Sequence, residues 1–334
     1  MERLVSFVSK LLKLARRIFQ NKTQALRFLK ILAVLLSGWL LYSEILSNEK
    51  FHRVLDQWLS GDISIHYEWL SLFVVLIFFN WAAEAIKWRI LVKELAHIHF
   101  WIAYKAVLTG VFVSFFTPNR SGEFAGRIIY LPGKKIEGTI LTLTGGLAQN
   151  ICTLLFGCLA GLIFFASDHL EWMLGATGII ILTAVVLFFY FNIDRLAMSL
   201  WYFGLSRKWL RYFLPLRHLK TKTLLSILLI SILRYGIYSV QFYLMFLSWG
   251  AYFDFAVAMQ GIGLFFLIQS IIPSITIMEL TSRGITANYI FNQVGIEQGI
   301  VLLATYSIWF INLLLPALFG ALLFLFNRKS DVDL

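Results

Sequence analysis

Charged residues are scarce in this sequence. Only 14% of its 334 residues are charged and 59% are hydrophobic, whereas a soluble domain carries about 25% charged residues. Several apolar runs are longer than the ~20 residues that cross a bilayer core. The composition excludes a soluble enzyme and predicts an all-α polytopic membrane protein.

Cysteine and catalytic motifs are also lacking. Cys152 and Cys158 are the only two cysteines, and both fall inside an apolar run without forming a disulfide framework or a CxxC pair. The sequence has no GxSxG, P-loop, HExxH or GxGxxG pattern, and we interpret His97-Ile98-His99 as a loop rather than a metal pair. We therefore expect no catalytic residue, no bound metal and no cofactor.

Basic residues outnumber acidic ones and are concentrated in two places. The formal net charge is +11, and lysine and arginine cluster in residues 1–27 and in the 193–222 connection. This distribution is typical of cytoplasmic segments of membrane proteins and not of a nucleic-acid groove, so no nucleic acid is expected. Residues 1–27 alternate apolar and basic at helical spacing, which predicts a basic amphipathic helix on an anionic leaflet. A role of this charge in topology alone is equally compatible.

Eight apolar segments follow residue 27, and the charges between them orient each one. With the cation-rich connections inside, both ends, including the 327–334 tail, are predicted to be cytoplasmic. Two of the segments cannot be simple crossings, because the segments before and after each of them end and begin on the same face. We predict one membrane domain, 28–326, with six full spans and two re-entrant hairpins. The segments lie at 28–46, 69–92, 101–117 (re-entrant), 139–166, 172–192, 223–249, 255–272 (re-entrant) and 299–326.

The two predicted hairpins share a residue pattern. Pro118–Arg127 and Pro273–Arg283 each open with proline, have glutamate five or six residues on, and end with arginine four residues after that. Repeat units at about 69–166 and 223–326 would then run in opposite orientations. This is an inverted-topology repeat, the usual architecture of secondary transporters.

Four charged residues in these hairpins are the main candidates for function. Glu123 and Arg127 lie four residues apart, as do Glu279 and Arg283, so each pair shares a helix face. A charge at mid-membrane costs ~2.5–3.5 kcal/mol, or roughly 10 kcal/mol for all four if lipid surrounds them. We expect them to face the bundle interior or a wet cavity and to bind substrate. The alternative is a pair of buried salt bridges that lock the hairpins.

Polar residues at the hairpin turns complete the predicted substrate site. Asn119, Arg120 and Ser121 open the first returning limb, and Ser274 and Thr276 open the second. The free amides and the positive dipole end of such a helix start attract anions such as a lipid phosphate. We therefore predict an anion site near each turn.

Other polar residues within the apolar segments are assigned simpler roles. Arg234 is included among the substrate ligands because it could pair with either hairpin glutamate, although snorkelling to the cytoplasmic face is an equal alternative. Glu84 and Lys87 are interpreted as a local ion pair. Gln149 and Asn150 are interpreted as interhelical hydrogen-bonding residues.

Two stretches of the sequence resemble a known family. Thr117–Arg127 is similar to the Pro-x-Arg-x-Gly-Glu stretch and following arginine of the lysylphosphatidylglycerol synthase transmembrane-region (flippase-like) family. Ala85–Leu91 resembles the Arg/Lys-Trp motif that ends an early span in this family. The resemblance covers roughly residues 28–326.

The second family motif is matched only in part. It consists of a proline, a glycine-rich turn and Arg-Glu, and Pro273 and Arg283 correspond to its proline and arginine. The glycine run is missing, and Gly284 stands where the family has the final glutamate. Glu279 is our candidate for the replacement carboxylate.

The resemblance implies movement or handling of charged or glycosylated lipids across a bacterial cytoplasmic membrane. The expected partners are anionic or glycosylated membrane lipids, with a homo-oligomer left open. The sequence contains no soluble aminoacyltransferase domain, so we do not expect the synthase activity. Two further classes stay open: a membrane-embedded lipid head-group transferase that uses Glu123 or Glu279 as acid or base, and an accessory membrane subunit.

Overall fold

The described part of the chain is helical. The computed structural model describes residues 56, 60–61, 65–117, 120–165, 169–199, 210–272 and 279–326, and these contain no β-strand. Helices suit a chain in lipid because they satisfy every backbone N–H and C=O within one segment. The α-helices are α1 (Tyr67–Val92), α2 (Phe100–Ser114), α3 (Gly122–Ile128), α4 (Lys135–Phe165), α5 (His169–Phe191), α6 (Ile193–Ser199), α7 (Thr221–Ser248), α8 (Phe255–Ile271), α9 (Glu279–Asn292), α10 (Gln298–Trp309) and α11 (Leu315–Phe326).

Five helical segments in the described part of the chain are long and apolar enough to cross a membrane. They are α1, α4, α5, α7 and the continuous 29-residue run Gln298–Phe326, in which a π-helical turn, Phe310–Leu314, joins α10 to α11. The protein is therefore a multi-pass membrane protein, as the composition predicted. The predicted helix 1–27, the predicted first span 28–46 and the tail 327–334 lie outside the described residues.

Two further apolar helices are shorter than the spans. Helix α2 has 15 residues and α8 has 17, which corresponds to about 22 and 26 Å at 1.5 Å per residue. Both fall short of the ~30 Å hydrocarbon core. They coincide with the two segments for which the charge pattern predicted re-entrant hairpins.

Glycines allow α3 to lie directly against α2. A Cβ added to Gly126 would lie 2.5 Å from the Cα of Gly110, and one added to Gly110 would lie 2.8 Å from the carbonyl oxygen of Glu123. No side chain larger than hydrogen fits at either position without moving backbone. This close approach fixes the depth at which α3 presents its charged residues.

The second short pair, α8 and α9, is also in contact. A Cβ on Gly261 would lie 2.8 Å from Cε1 of Phe291. Helix α8 begins with a side-chain cap, in which Asp254 accepts hydrogen bonds from the amides of Ala256 and Val257. The cap satisfies two of the amides that have no partner within a helix.

Helices from the first half of the chain pack against helices from the second half. Helix α1 packs along α7, α2 packs against α11, and α8 packs against α4. Glycines make the last two contacts close: Gly320 on α11 faces the carbonyl of Leu108, and Gly157 on α4 lies with its Cβ position 2.6 Å from Cβ of Leu267. The first helix of each short pair therefore packs on the last span of the other half.

The ends of the long helices meet at two opposite sides of the bundle. The start of α1 meets the end of α7, where the amide of His66 donates to the carbonyl of Ser248 over 2.9 Å. The opposite ends share a hydrophobic cluster, in which Leu91 of α1, Leu141 of α4 and Leu224 of α7 pack together. A 3₁₀ helix, Arg211–His218, joins this cluster through Leu216. The predicted 193–222 loop therefore contains α6 and this 3₁₀ helix, which pack against each other.

Candidate functional site

One cavity lies between the two halves of the membrane domain. Its volume is about 540 Å³, and α1, α3, α4, α7, α8, α9 and the π-helical turn all contribute to its lining. Six of the residues predicted to bind substrate line it: Arg120, Glu123, Arg127, Arg234, Glu279 and Arg283. Residues that the sequence pattern placed on two separate hairpins therefore share one cavity. Their role as substrate ligands stays a prediction.

The predicted anion site at the first helix start takes a different form. Ser121 is exposed and makes no side-chain cap, and Asn119 lies outside the described residues. The amide of Gly122 donates to Oγ1 of Thr117 over 2.6 Å, and the amide of Glu123 donates to the carbonyl of Arg120 over 3.1 Å. These two amides have partners and are not free to bind an anion. Positive charge at this end of the cavity comes from side chains, namely Arg120 and Arg127. Ser274 and Thr276 lie outside the described residues.

Glu84 lies at the centre of the cation cluster. Its carboxylate contacts Nζ of Lys87 over 2.8 Å and Nη1 of Arg127 over 2.6 Å, and it also pairs with Nη1 of Arg234. The glutamate side chain is only 6% exposed. One buried carboxylate therefore joins α1, α3 and α7.

Two sequence interpretations need correction at this point. The Glu84–Lys87 contact exists, but it is part of a four-residue cluster rather than an isolated local pair. Arg234 contacts neither hairpin glutamate and does not snorkel, because its guanidinium donates to Asn80 as well as to Glu84. The spacing along the chain could not reveal the contacts of Glu84 with Arg127 and Arg234, since these residues are 43 and 150 positions apart.

The two i,i+4 pairs of the hairpins are both formed. Nη2 of Arg127 contacts Glu123 over 2.9 Å, and Nη2 of Arg283 contacts Glu279 over 2.9 Å. Glu123 also contacts Nη2 of Arg120 over 3.1 Å. The backbone of Arg120 has a φ of 56°, the only positive value at a described non-glycine residue. Such a conformation is uncommon outside glycine and is concentrated at functional sites.

Positive charge exceeds negative charge around the cavity. Its described lining contains five cationic side chains and three carboxylates, a formal excess of two positive charges. The excess belongs to the side of the cavity around Glu84 and Glu123, because the second pair is neutral. Charges interact more strongly away from bulk water, so this cavity attracts anions. The residues are Lys87, Arg120, Arg127, Arg234 and Arg283 against Glu84, Glu123 and Glu279.

Several buried polar atoms of the lining have no hydrogen-bond partner among the described residues. They are the donors Nε1 of Trp81, Nε of Arg120 and Nε of Arg127, and the acceptor Oδ1 of Asn312. A buried polar atom left unpaired costs about 1–3 kcal/mol. The bonding of the residues around the cavity is therefore incomplete among the described residues.

Amide side chains connect the cavity to the helices behind it. Oε1 of Gln241 accepts from Nδ2 of Asn80 over 3.4 Å and from Nδ2 of Asn312 over 3.0 Å. Asn312 lies in the π-helical turn, a helix irregularity frequent at functional sites. Gln149 bonds to the carbonyl of Ser231 and to Arg234, so its predicted interhelical role is present together with a place in the lining.

Part of this lining consists of residues outside the predicted site. Asn80, Gln269 and Asn312 line the cavity but were not among the predicted site residues. Each is an amide within a long apolar segment, and that pattern could have identified them, because polar residues inside membrane helices usually face the bundle interior. Trp81, Tyr235 and similar aromatic lining residues carried no such signal among the many aromatic residues of the chain.

These features define a class: a multi-pass α-helical membrane protein with a charged internal cavity. The family model described as Lysylphosphatidylglycerol synthase TM region matches residues 27–320, most of the chain, and the protein belongs to this family. The resemblance inferred from Thr117–Arg127 is thereby confirmed. Comparisons with curated proteins and with solved structures gave no match. Membership places the chain among membrane proteins involved in lipid handling.

Proposed function

We propose that the protein moves phosphate-bearing lipids between the leaflets of a bacterial cytoplasmic membrane, with the head group held in the cavity. The observation that carries this proposal is the cavity itself, which has an excess of two positive charges and lies among membrane-spanning helices. A charge buried at membrane depth is costly unless it has a function or a partner. A lipid phosphate would supply the missing negative charge.

The proposed architecture is an inverted repeat of two units, each with a re-entrant hairpin. Equivalent helices of the two units would be α1 and α7, α2 and α8, α3 and α9, and α4 and the α10–α11 run. The packing of the helices supports this assignment. Helix α2 packs on α11, and its proposed equivalent α8 packs on α4, the proposed equivalent of the α10–α11 run. In secondary transporters with inverted repeats, the substrate site lies near the membrane midplane between the units. The cavity is lined by α1, α3 and α4 together with α7, α8 and α9, which supports this assignment.

A lipid-movement assay in liposomes tests the proposal. The purified protein is reconstituted into vesicles that contain a fluorescent phospholipid, and dithionite quenching measures how much lipid crosses to the outer leaflet. We expect movement with the unmodified protein. We expect Arg127→Ala and Arg283→Ala each to abolish it, because each removes a cation that faces the cavity.

Matched measurements make this result specific. Arg217→Ala removes an exposed arginine from the 3₁₀ helix outside the cavity and should leave lipid movement unchanged. Size-exclusion profiles of the arginine variants establish that they remain folded. Normal movement by both Arg127→Ala and Arg283→Ala would show that the cavity does not bind the anion.

The same vesicles separate the other two classes. A lipid with a chemically altered head group, detected by mass spectrometry, would indicate a head-group transferase. Loss of function in cells on changes to the 193–222 connection, with no movement by the isolated protein, would indicate an accessory subunit. Both results would contradict the proposed transport.

A further inference from the structure

We propose that the cavity selects lipids whose head group is a phosphate esterified to an uncharged, hydroxyl-bearing group, such as glycerol, inositol or a sugar, and that it disfavours head groups carrying ammonium. This inference rests on the proposed function and names its substrate class. The proposed head group differs from lysylphosphatidylglycerol, the lipid in the family description. A lysylated head group carries ammonium groups that outnumber its phosphate charge.

The charge balance provides the first argument. The described lining has five cations and three carboxylates, and each carboxylate already contacts at least one of those cations. Glu84 alone is shared by three of them. An ammonium entering the cavity would find no carboxylate without a cationic partner and would meet a surplus of positive charge. A phosphate would reduce that surplus.

The unpaired donors provide the second argument. Nε1 of Trp81 and Nε of Arg127 belong to side chains that are 5% and 4% exposed, and both atoms lack a partner among the described residues. Nε of Arg120 is likewise unpaired. Once the side chains that cover them move on binding, three N–H donors without acceptors suit a phosphate, which offers several oxygens and accepts strong hydrogen bonds from charged groups.

The rest of the lining provides the third argument. Oδ1 of Asn312 is an unpaired acceptor on a residue that is 3% exposed, and a hydroxyl group could donate to it. The aromatic rings of Tyr238 and Phe266 stack with centroids 5.0 Å apart and form an apolar wall. A ligand with hydroxyl donors and an apolar face fits this wall and these amides. A volume of about 540 Å³ lies within the range usual for small-molecule sites.

Direct binding distinguishes the lipid classes. The intact protein in detergent is mixed with phosphatidylglycerol, phosphatidylinositol, phosphatidylethanolamine and lysylphosphatidylglycerol at equal concentration, and native mass spectrometry counts the retained lipids. We expect the first two lipids to be retained at least about tenfold more than the lysylated one. Equal retention of all four, or preference for the lysylated lipid, would overturn the inference.

A change of cavity charge should change the preference. Asn150→Asp adds a carboxylate at an exposed lining position without altering side-chain size, and it should shift relative retention toward lysylphosphatidylglycerol by about tenfold. The control Gln293→Glu adds the same charge on an exposed residue outside the cavity and should leave the preference unchanged. An unchanged preference in Asn150→Asp would contradict the electrostatic argument.

The tryptophan donor can be tested with a closely matched control. Trp81→Phe removes the N–H but keeps an aromatic ring, and it should weaken phosphatidylglycerol binding by about tenfold, since it removes a hydrogen bond to a charged group. Trp309 is also buried with an unpaired Nε1 but does not line the cavity. Trp309→Phe should therefore bind like the unmodified protein. Equal binding by both variants would overturn the role of Trp81.

Lipid binding tests the head-group assignment, and lipid movement tests the proposed transport. Movement of all lipids at equal rates in vesicles, with no selective binding, would overturn this inference and leave the proposed transport standing. Selective binding of phosphatidylglycerol without movement of any lipid would support the head-group assignment and overturn transport. Neither binding nor movement would overturn both.

Discussion

Glu84 pairs with three cations of the cavity and holds them together. In the sequence it is an acid three positions before Lys87 in an apolar segment, and this spacing suggests no more than a local pair. In the structure it also binds Arg127 of α3 and Arg234 of α7. A buried charge left without its partner is far more costly than an exposed one. Among the described residues Glu84 is therefore the carboxylate that pairs with Lys87 and Arg234, whereas Arg127 also pairs with Glu123.

Replacing Glu84 with glutamine should destabilise the protein strongly. Glu84→Gln keeps the size of the side chain but removes its negative charge. Lys87 is then without a carboxylate among the described residues, and Arg127 and Arg234 each lose an ion pair. We expect a loss of about 3–5 kcal/mol in the free energy of unfolding, the range for breaking a buried ion pair. Denaturation by increasing SDS in mixed micelles measures it.

The control is an exposed acid just beyond the end of the same helix. Glu94 is exposed and follows α1 by two residues. Glu94→Gln should change the free energy of unfolding by less than about 1 kcal/mol, as expected for an exposed charge. Similar stability of both variants would show that Glu84 does not hold the three helices together.

At the level of elements, the α2–α3 pair places Arg127 in the cavity. Helix α3 has only seven residues, and an isolated helix of that length is not stable in itself. Its position depends on the glycine contact with α2, where Gly126 and Gly110 meet without side chains. The charged residues of α3 are therefore positioned by packing rather than by helix propensity.

Adding one methyl group at this contact should disturb the site. In Gly126→Ala the new Cβ would lie 2.5 Å from Cα of Gly110, so the two helices must separate. We expect a loss of about 1–3 kcal/mol in stability, as for other overpacked positions, together with reduced lipid movement in vesicles because Arg127 shifts with α3.

A glycine with open surroundings provides the comparison. Gly178 lies within α5, and a Cβ at this position would meet nothing within 4 Å. Gly178→Ala should leave lipid movement unchanged and stabilise the helix by up to about 1 kcal/mol. If Gly126→Ala behaved in the same way, the close contact would not determine the position of Arg127.

At the level of the whole molecule, the charge pattern and the packing suggest the same orientation. The end of α1 and the start of α7 meet the basic 3₁₀ helix Arg211–His218 in one hydrophobic cluster. The start of α1 meets the end of α7 on the opposite side through His66 and Ser248. Since basic segments remain in the cytoplasm, the first group is expected inside and the second outside.

Cysteine labelling tests this orientation. In a background with Cys152→Ser and Cys158→Ser, single cysteines replace exposed residues at Lys135, Arg211, His169 and Gln298. An impermeant maleimide added to intact cells should label His169→Cys and Gln298→Cys and should not label the other two.

Permeabilised cells provide the control, because all four cysteines should react once both faces are accessible. Labelling of Lys135→Cys in intact cells would mean that α2 and α3 cross the membrane instead of returning to the same face. The proposed inverted repeat would then be wrong, although the cavity and its charges would remain.

The sequence by itself determined the class of protein, the approximate bounds of its apolar helices and the family. These properties depend on local composition, because a run of apolar residues of sufficient length becomes a helix in lipid wherever its neighbours lie. Two ion pairs also follow from the sequence, since residues four apart on a helix share a face. Glu123–Arg127 and Glu279–Arg283 were found in this way and both pairs are formed.

Only the tertiary structure decided how these residues are combined. The contact of Glu84 with Arg234 joins positions 150 residues apart, and the meeting of both hairpin pairs at one cavity depends on the packing of α1 along α7. No local pattern specifies which of several buried cations a given carboxylate will contact. The excess of positive charge around the cavity is likewise a property of the assembled helices, because it depends on which side chains face one shared space.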